Sequence, residues 1–346
     1  MLKKSSQKYV AAIVFLLVLI LGIWFFKKDV NLIWYWIFGL SFGVIFQRSR
    51  LCFVSAASEP LITGSTAQFR AILIGILIAS LGISSLKYLS NGMLDMLGVS
   101  TVGLPLIVGA FLFGVGMILS GCCTLGIFVR MAEGYTIHII TLICTVAGYL
   151  IANTHYHSVW APFIVDAPVI FLPSELGWTF GVVAHIVVIV LLYLVALRHE
   201  QNSASSYSGS YLKGAIFLGI FTIMHYIILK SGFSVTGAFF YFSEFSKGFP
   251  STAIGPNLRN LGIFTGALFS VFACAEFKFK KIRSLKQVCV TGVGGLFMGY
   301  GAAIAGGCNI SAFFNAAASL SLSAWVFMIC LFLGTLVGTK LLYKLL

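Results

Sequence analysis

Three cysteines stand in polar or glycine-rich breaks of an otherwise apolar sequence. Cys123 lies in ILSGCCTLGIF (118–128), Cys308 in AGGCNIS (305–311) and Cys52 in FQRSRLCFVSAA (46–57). A neutral thiol is a weak hydrogen-bond donor and a polarisable contact, suited to a soft sulfur atom. Glycine is costly inside a helix, so SGCC and AGGCN read as places where a long helix stops and a short one starts. A helix start exposes unpaired N–H groups and partial positive charge, which makes an anion site. Thr124, Asn309 and Ser311 add donors, and Gly121, Gly306 and Gly307 let an anion approach the backbone. The thiols must stay neutral in this reading, because a thiolate would repel an anion. Cys122 is an additional thiol next to Cys123. At the third break, Gln47, Arg48 and Arg50 accompany Cys52 at the end of a long apolar segment. The two arginines read as membrane-surface anchors, or as charges that draw an anion into an inner vestibule. The matching stretch of the second half, LKSGFSVTGAFF (229–240), carries Ser234 and Thr236 but no cysteine.

The elements that hold these residues repeat. Residues 109–123, GAFLFGVGMILSGCC, and 294–308, GGLFMGYGAAIAGGC, both fit G-x4-G-x-G-x4-G-x-C, with each matched pair 185 residues apart. Long helices are expected at 9–26, 32–47, 67–88, 104–120, 135–152, 177–198, 211–229, 257–276, 287–305 and 322–344. Four shorter apolar stretches, 50–59, 122–132, 232–243 and 308–319, cannot span a bilayer and read as re-entrant helices. Five crossings separate the repeated segments, so the second copy runs in the opposite sense, the inverted architecture of many transporters. The expected fold is all-α: a polytopic membrane protein of nine or ten transmembrane helices plus four short re-entrant ones. Residues 1–152 form the first repeat, 153–176 an external linker and 177–346 the second repeat.

Composition agrees. The chain of 346 residues is 60% hydrophobic and 9% charged, against roughly 25% charged in soluble domains. Its formal charge of +13 comes from basic residues that cap apolar segments, which points to the lipid bilayer and not to nucleic acid. The apolar run after MLKKSSQKY reads as an uncleaved first helix. With the N-terminus inside, sixteen of the 22 Lys and Arg residues fall on the cytoplasmic side, as does the C-terminus, and the loop FKFKKIRSLK is internal. No C-x-x-C pair occurs, and Cys144, Cys274, Cys289 and Cys330 read as small packing residues.

With FQRSRLCF, SGCCTLG, SGFSVTG and AGGCNIS in this order, the chain resembles the YeeE/YedE family of sulfur-compound transporters. The resemblance covers both halves. It implies a prokaryotic inner-membrane protein that takes up thiosulfate, with short helices meeting at the waist of an hourglass. The family's important cysteines fall, motif by motif, on Cys52, Cys123 and Cys308; Cys123 is taken over Cys122 because it heads C-x-x-G and aligns with Cys308. A small TusA-like cytoplasmic sulfur carrier is the partner the resemblance implies, and it is not fused to this chain. The Gly-His pair often found after the glycine–cysteine motif is missing, and Ser311 stands where the first copy has Gly126.

The leading expectation is a transporter, not an enzyme, without a cofactor. Thiosulfate or a related sulfur anion meets Cys308 from outside, then Cys123 and Cys52, through successive weak S–H contacts that permit release. A membrane thiol–disulfide oxidoreductase is the alternative that Cys122–Cys123 suggests, although adjacent cysteines form a strained disulfide. A soft-metal transporter is a third, motivated by thiols and the His155/His157 pair.

Overall fold

The computed structural model describes residues 4–90, 92–165, 167–200, 209–243, 253–282 and 284–345. Lys3, Lys247 and Arg283, which enter the charge asymmetry above, lie outside the described residues. Ten long helices form: α1 (Lys4–Lys28), α2 (Val30–Ser49), α4 (Ala67–Leu89), α5 (Leu104–Ser120), α7 (Ile137–His155), α10 (Trp178–His199), α11 (Gly209–Leu229), α13 (Ile254–Ala273), α14 (Leu285–Ile304) and α16 (Leu322–Leu345). Between them lie α3 (Phe53–Ile62), α6 (Thr124–Ala132), α8 (Pro162–Val165), α9 (Leu172–Leu176), α12 (Gly237–Ser243), α15 (Ala316–Ala318) and two π-helical turns, Tyr156–Trp160 and Asn309–Asn315. Each of the four short stretches expected between the long helices thus holds a short helix. The 153–176 stretch also contains helical turns, and Tyr300 ties it down: its hydroxyl lies 2.8 Å from His155 Nε2 and accepts from Trp160 Nε1 at 3.1 Å.

Among the described residues, nine helical segments are long and apolar enough to cross a membrane. The long helix outside that set is α13, whose first turns carry Asn257, Arg259 and Asn260. Exposed leucine, isoleucine, valine and phenylalanine side chains run along α1 and α10. Water would penalise such surfaces and a bilayer covers them without cost. The protein is an all-α, multi-pass membrane protein.

Helix pairing is not confined to either half of the chain. The most extensive contacts are α2 with α13, α7 with α14, α5 with α14, α5 with α16 and α4 with α11. Exchanging α2 with α11, α4 with α13, α5 with α14 and α7 with α16 turns this set of pairs into itself. At the centre, α5 and α14 cross without side chains between them. A Cβ on Gly109 would lie 2.6 Å from the Gly301 carbonyl, and one on Gly116 would lie 2.5 Å from the Gly294 carbonyl. The contacts return from the other side: Gly301 abuts the Gly109 carbonyl and Gly294 the Ser120 amide. Small residues that admit such backbone approach drive helix association where lipid offers no hydrophobic gain.

One face of the bundle is basic. Gln7 exchanges hydrogen bonds with the Phe277 backbone at 3.4 and 3.1 Å, which brings the start of α1 to the 276–280 segment. Leu342 and Leu345 share a crevice with Ser284 and Lys286 at the same end. Arg48 and Arg50 lie 3.5 and 3.6 Å from Glu276. On the opposite face, isolated bridges join Thr101 to Val169 and Phe171 to Ser321.

Candidate functional site

Two glycines end the central helices in the same way. Gly121 after α5 and Gly306 after α14 take left-handed conformations, φ +71° and +72°, which glycine adopts without Cβ strain. The chain then enters Cys123 and Cys308, each extended and each at the N-cap of a short helix. The cysteine sulfur occupies the position a serine or aspartate oxygen fills in an ordinary N-cap. Cys123 Sγ accepts from the Gly126 amide at 3.4 Å and also from Leu125. Cys308 Sγ receives the amides of Ile310 and Ser311. The structure therefore differs from the expectation of bare backbone awaiting an anion: these amide hydrogens already point at sulfur.

The two turns meet. The hydroxyl of Thr124, first residue of α6, faces the Cys308 thiol, and Asn309 Nδ2 donates to Met117 Sδ of α5 at 3.1 Å. Cys123 lies within electrostatic range of both Cys308 and Cys52. The sequence-selected thiols thus form a series with Cys123 in the middle. All eight cysteines are free.

The second turn is the more tightly closed. Cys308 N donates to Ser311 Oγ at 2.9 Å, and that hydroxyl donates back to Cys308 Sγ at 3.6 Å, a capping box built on cysteine. Gly307 makes room for it, since a Cβ there would strike Ser311 Oγ and lie 3.1 Å from the Ala312 amide. Cys308 is fully buried. On the other side, a cavity of ≈ 90 Å³ opens beside Cys123 and reaches Cys52 and Arg50, with Gly126, Val129, Arg130 and Glu133 along its wall.

Cys52, partly exposed, begins α3 without a side-chain cap. Its amide donates to Gln68 Oε1 at 2.8 Å, and Gln68 Nε2 in turn donates to Glu59 at 3.1 Å. Arg50 and Gln47 also line a wider polar vestibule of ≈ 410 Å³ with Arg130, Glu133, Tyr135, Glu276, Lys278 and Lys280. There Gln47 is fixed by Ser270, which donates at 2.6 Å, and by its own bond to Glu276 at 3.3 Å. Arg50, Arg130 and Glu133 belong to both spaces and form their junction. Cys122, in electrostatic range of Cys123 and Cys52, is engaged by a histidine, its Sγ 3.3 Å from His138 Nδ1.

Sequence reasoning missed Arg130 and Glu133 as lining residues. Helical spacing offered a signal: Gly126, Arg130 and Glu133 follow Cys123 at one-turn intervals on one face of α6. It also missed Gln68, whose role depends on α4 packing beside Cys52, which spacing does not encode.

The fold defines a multi-pass α-helical membrane protein. The chain belongs to the sulphur transport family, whose model matches residues 48–337. It is 25% identical over 330 residues to the thiosulfate transporter TsuA of Spirochaeta thermophila, an alignment covering 88% of this chain and 97% of that one. Identity to the thiosulfate transporter TsuA of Escherichia coli is 26% over 356 residues, with 88% and 93% covered. The probable transporter YedE of Escherichia coli is 30% identical over 161 residues, which cover 46% of this chain and 38% of that one.

Proposed function

We propose that this sulfur-compound transporter imports thiosulfate, or a closely related small sulfur anion, across a prokaryotic inner membrane. The basic face is cytoplasmic in this reading, with both termini on it, as the excess of Lys and Arg there favours. The route runs Cys308, Cys123, Cys52, then the vestibule at Arg50 and Gln47. The observation that carries it is the meeting of the two cysteine-capped helix starts, Thr124 on Cys308 with Cys123 adjacent. Amide hydrogens bonded to each sulfur hold the thiol as a donor directed at the substrate. Thiosulfate presents one soft terminal sulfur and three oxygens, so it takes S–H contacts and hydroxyl contacts together. Each contact is weak, so the ion passes on without covalent chemistry. Arg130 and Arg50 then favour an anion leaving Cys123, and their carboxylate neighbours Glu133 and Glu276 limit how tightly it is held. By the family resemblance, a small TusA-like carrier handles the sulfur at the basic face.

The test is labelled thiosulfate uptake into proteoliposomes, with sulfur and selenium analogues as competitors. Cys123→Ala and Cys308→Ala should each abolish uptake while the protein stays monodisperse in detergent. Uptake at the wild-type rate in both variants would remove the thiol route.

A further inference from the structure

Among the described residues two arginines are buried, Arg70 and Arg259. Arg70 is paired with the Glu200 carboxylate. Arg259, on α13 and only 3% exposed, has no carboxylate partner among the described residues. Its Nη1 lies 3.1 Å from His225 Nε2, and its Nη2 donates to the Ser234 carbonyl. Its Nε has no hydrogen-bond partner. His225 Nδ1 sits 2.8 Å from the Ser231 carbonyl, so that nitrogen carries the proton and Nε2 is the acceptor for Arg259. The histidine is therefore neutral and offers the guanidinium no charge compensation. The remaining neighbours are rings: the guanidinium lies 4.7 Å from the Phe233 centroid and 5.8 Å from that of Tyr35. Besides His225, the titratable groups within electrostatic range among the described residues are Tyr35, Tyr241 and Cys308.

A clamp on the 231–236 segment does not require this charge. Asn260 Nδ2 holds the Val235 carbonyl at 2.8 Å, and Asn315 Nδ2 holds that of Phe233, both as neutral amides. Burying an unpaired cation inside a membrane protein is expensive, and such residues mark ion pathways. The arginines of the basic face differ in kind: Arg48, Arg50 and Arg130 each have a carboxylate within 3.6 Å. Arg259 is the one buried arginine among the described residues without a carboxylate partner, and it lies in range of the thiol that the route above reaches first.

We propose that Arg259 is the specificity-determining charge of the outer half of the pathway, the cation that admits a dianion to Cys308 and discriminates against monoanions. His225 is its positioning residue, and Phe233 and Tyr35 keep water from screening it. The inference rests on the transport reading above and names the group that selects by charge.

The experiment measures labelled thiosulfate uptake in proteoliposomes, with unlabelled thiosulfate and monoanionic thiocyanate as competitors, in wild type, Arg259→Gln, Arg259→Lys and Cys308→Ala. Loss of the charge in Arg259→Gln should raise the KM for thiosulfate about tenfold or more, the scale of a charge-assisted contact, and should strengthen thiocyanate competition relative to thiosulfate. Arg259→Lys keeps the charge but not the hydrogen-bond fork. It should hold KM within about threefold of wild type, because the proposal places the effect in the charge. Equal behaviour of the Lys and Gln variants, both normal or both impaired alike, overturns it. If Arg259→Gln does not fold, the Lys variant decides: folded protein without uptake or without dianion preference overturns the proposal. Wild-type protein that carries no thiosulfate would instead sink the transport reading, and Cys308→Ala inactive with Arg259→Gln normal would sink the Arg259 inference alone.

Discussion

The two cysteine turns share a register yet differ in closure. Both leave a left-handed glycine, both put cysteine at an N-cap, and both direct amides at sulfur. After Cys123 the chain forms an ordinary α-helix and a cavity reaches the thiol. After Cys308 it winds as a π-helix, and Ser311 occupies the register of Gly126 and locks the turn. The shared part caps a helix with a thiol; the unshared part sets how enclosed that thiol is. Like chemistry in unlike enclosures leaves Cys123 beside an open cavity and Cys308 sealed, and in the proposed route these become an open side and a guarded side.

The comparison breaks most severely at its frame. Gly116→Val and Gly294→Val should each prevent the α5–α14 crossing, because the added atoms meet backbone. Detergent extraction followed by gel filtration should show aggregate and little monodisperse protein. Next comes the lock. Ser311→Ala strands the buried Cys308 amide, a loss of about 1–3 kcal/mol. It should lower the thermal unfolding temperature and speed maleimide labelling of Cys308, bringing that turn closer to the Cys123 turn. Smaller again are Gly121→Ala and Gly306→Ala. A Cβ at either position meets nothing within 4 Å, so each should cost only the left-handed strain, about 1 kcal/mol, and the two unfolding shifts should match. The smallest effect belongs to Cys122→Ala. That thiol is engaged by His138 and lies outside the proposed series. Thiosulfate uptake should stay near wild type, with stability reduced by about 1 kcal/mol.

Much of the fold was legible because lipid imposes a strict rule on sequence. Every backbone group must be bonded internally, so each long apolar run is a helix and each glycine–cysteine interruption is a break. That logic located the ten long helices and four short ones within a few residues, and the G-x4-G-x-G-x4-G-x-C pattern marked the two turns. It could not say which helix lies against which. The pairing of α5 with α16 and of α7 with α14 depends on backbone contact at Gly114 and Gly299 with helices distant in sequence. Gln68 beside Cys52 was hidden for the same reason. Arg259 falls at the start of the expected 257–276 helix, and its burial depends on α2 and α11 supplying Tyr35 and His225 around it. The π-helix was also beyond reach, since glycine at the Cys123 turn and serine at the Cys308 turn look equally permissive until the capping hydroxyl is placed.

The glycine-to-glycine seam between α5 and α14 constrains how the molecule works. Two helices touching main chain to main chain have no compliant side-chain layer along which to slide, and each is gripped by the closing helix of the opposite half. Large rocking of one half over the other would break these main-chain contacts. Under the proposed route, motion therefore belongs to the short pieces hung on that seam, and the ion is handed across by shifts no greater than a side chain's turn.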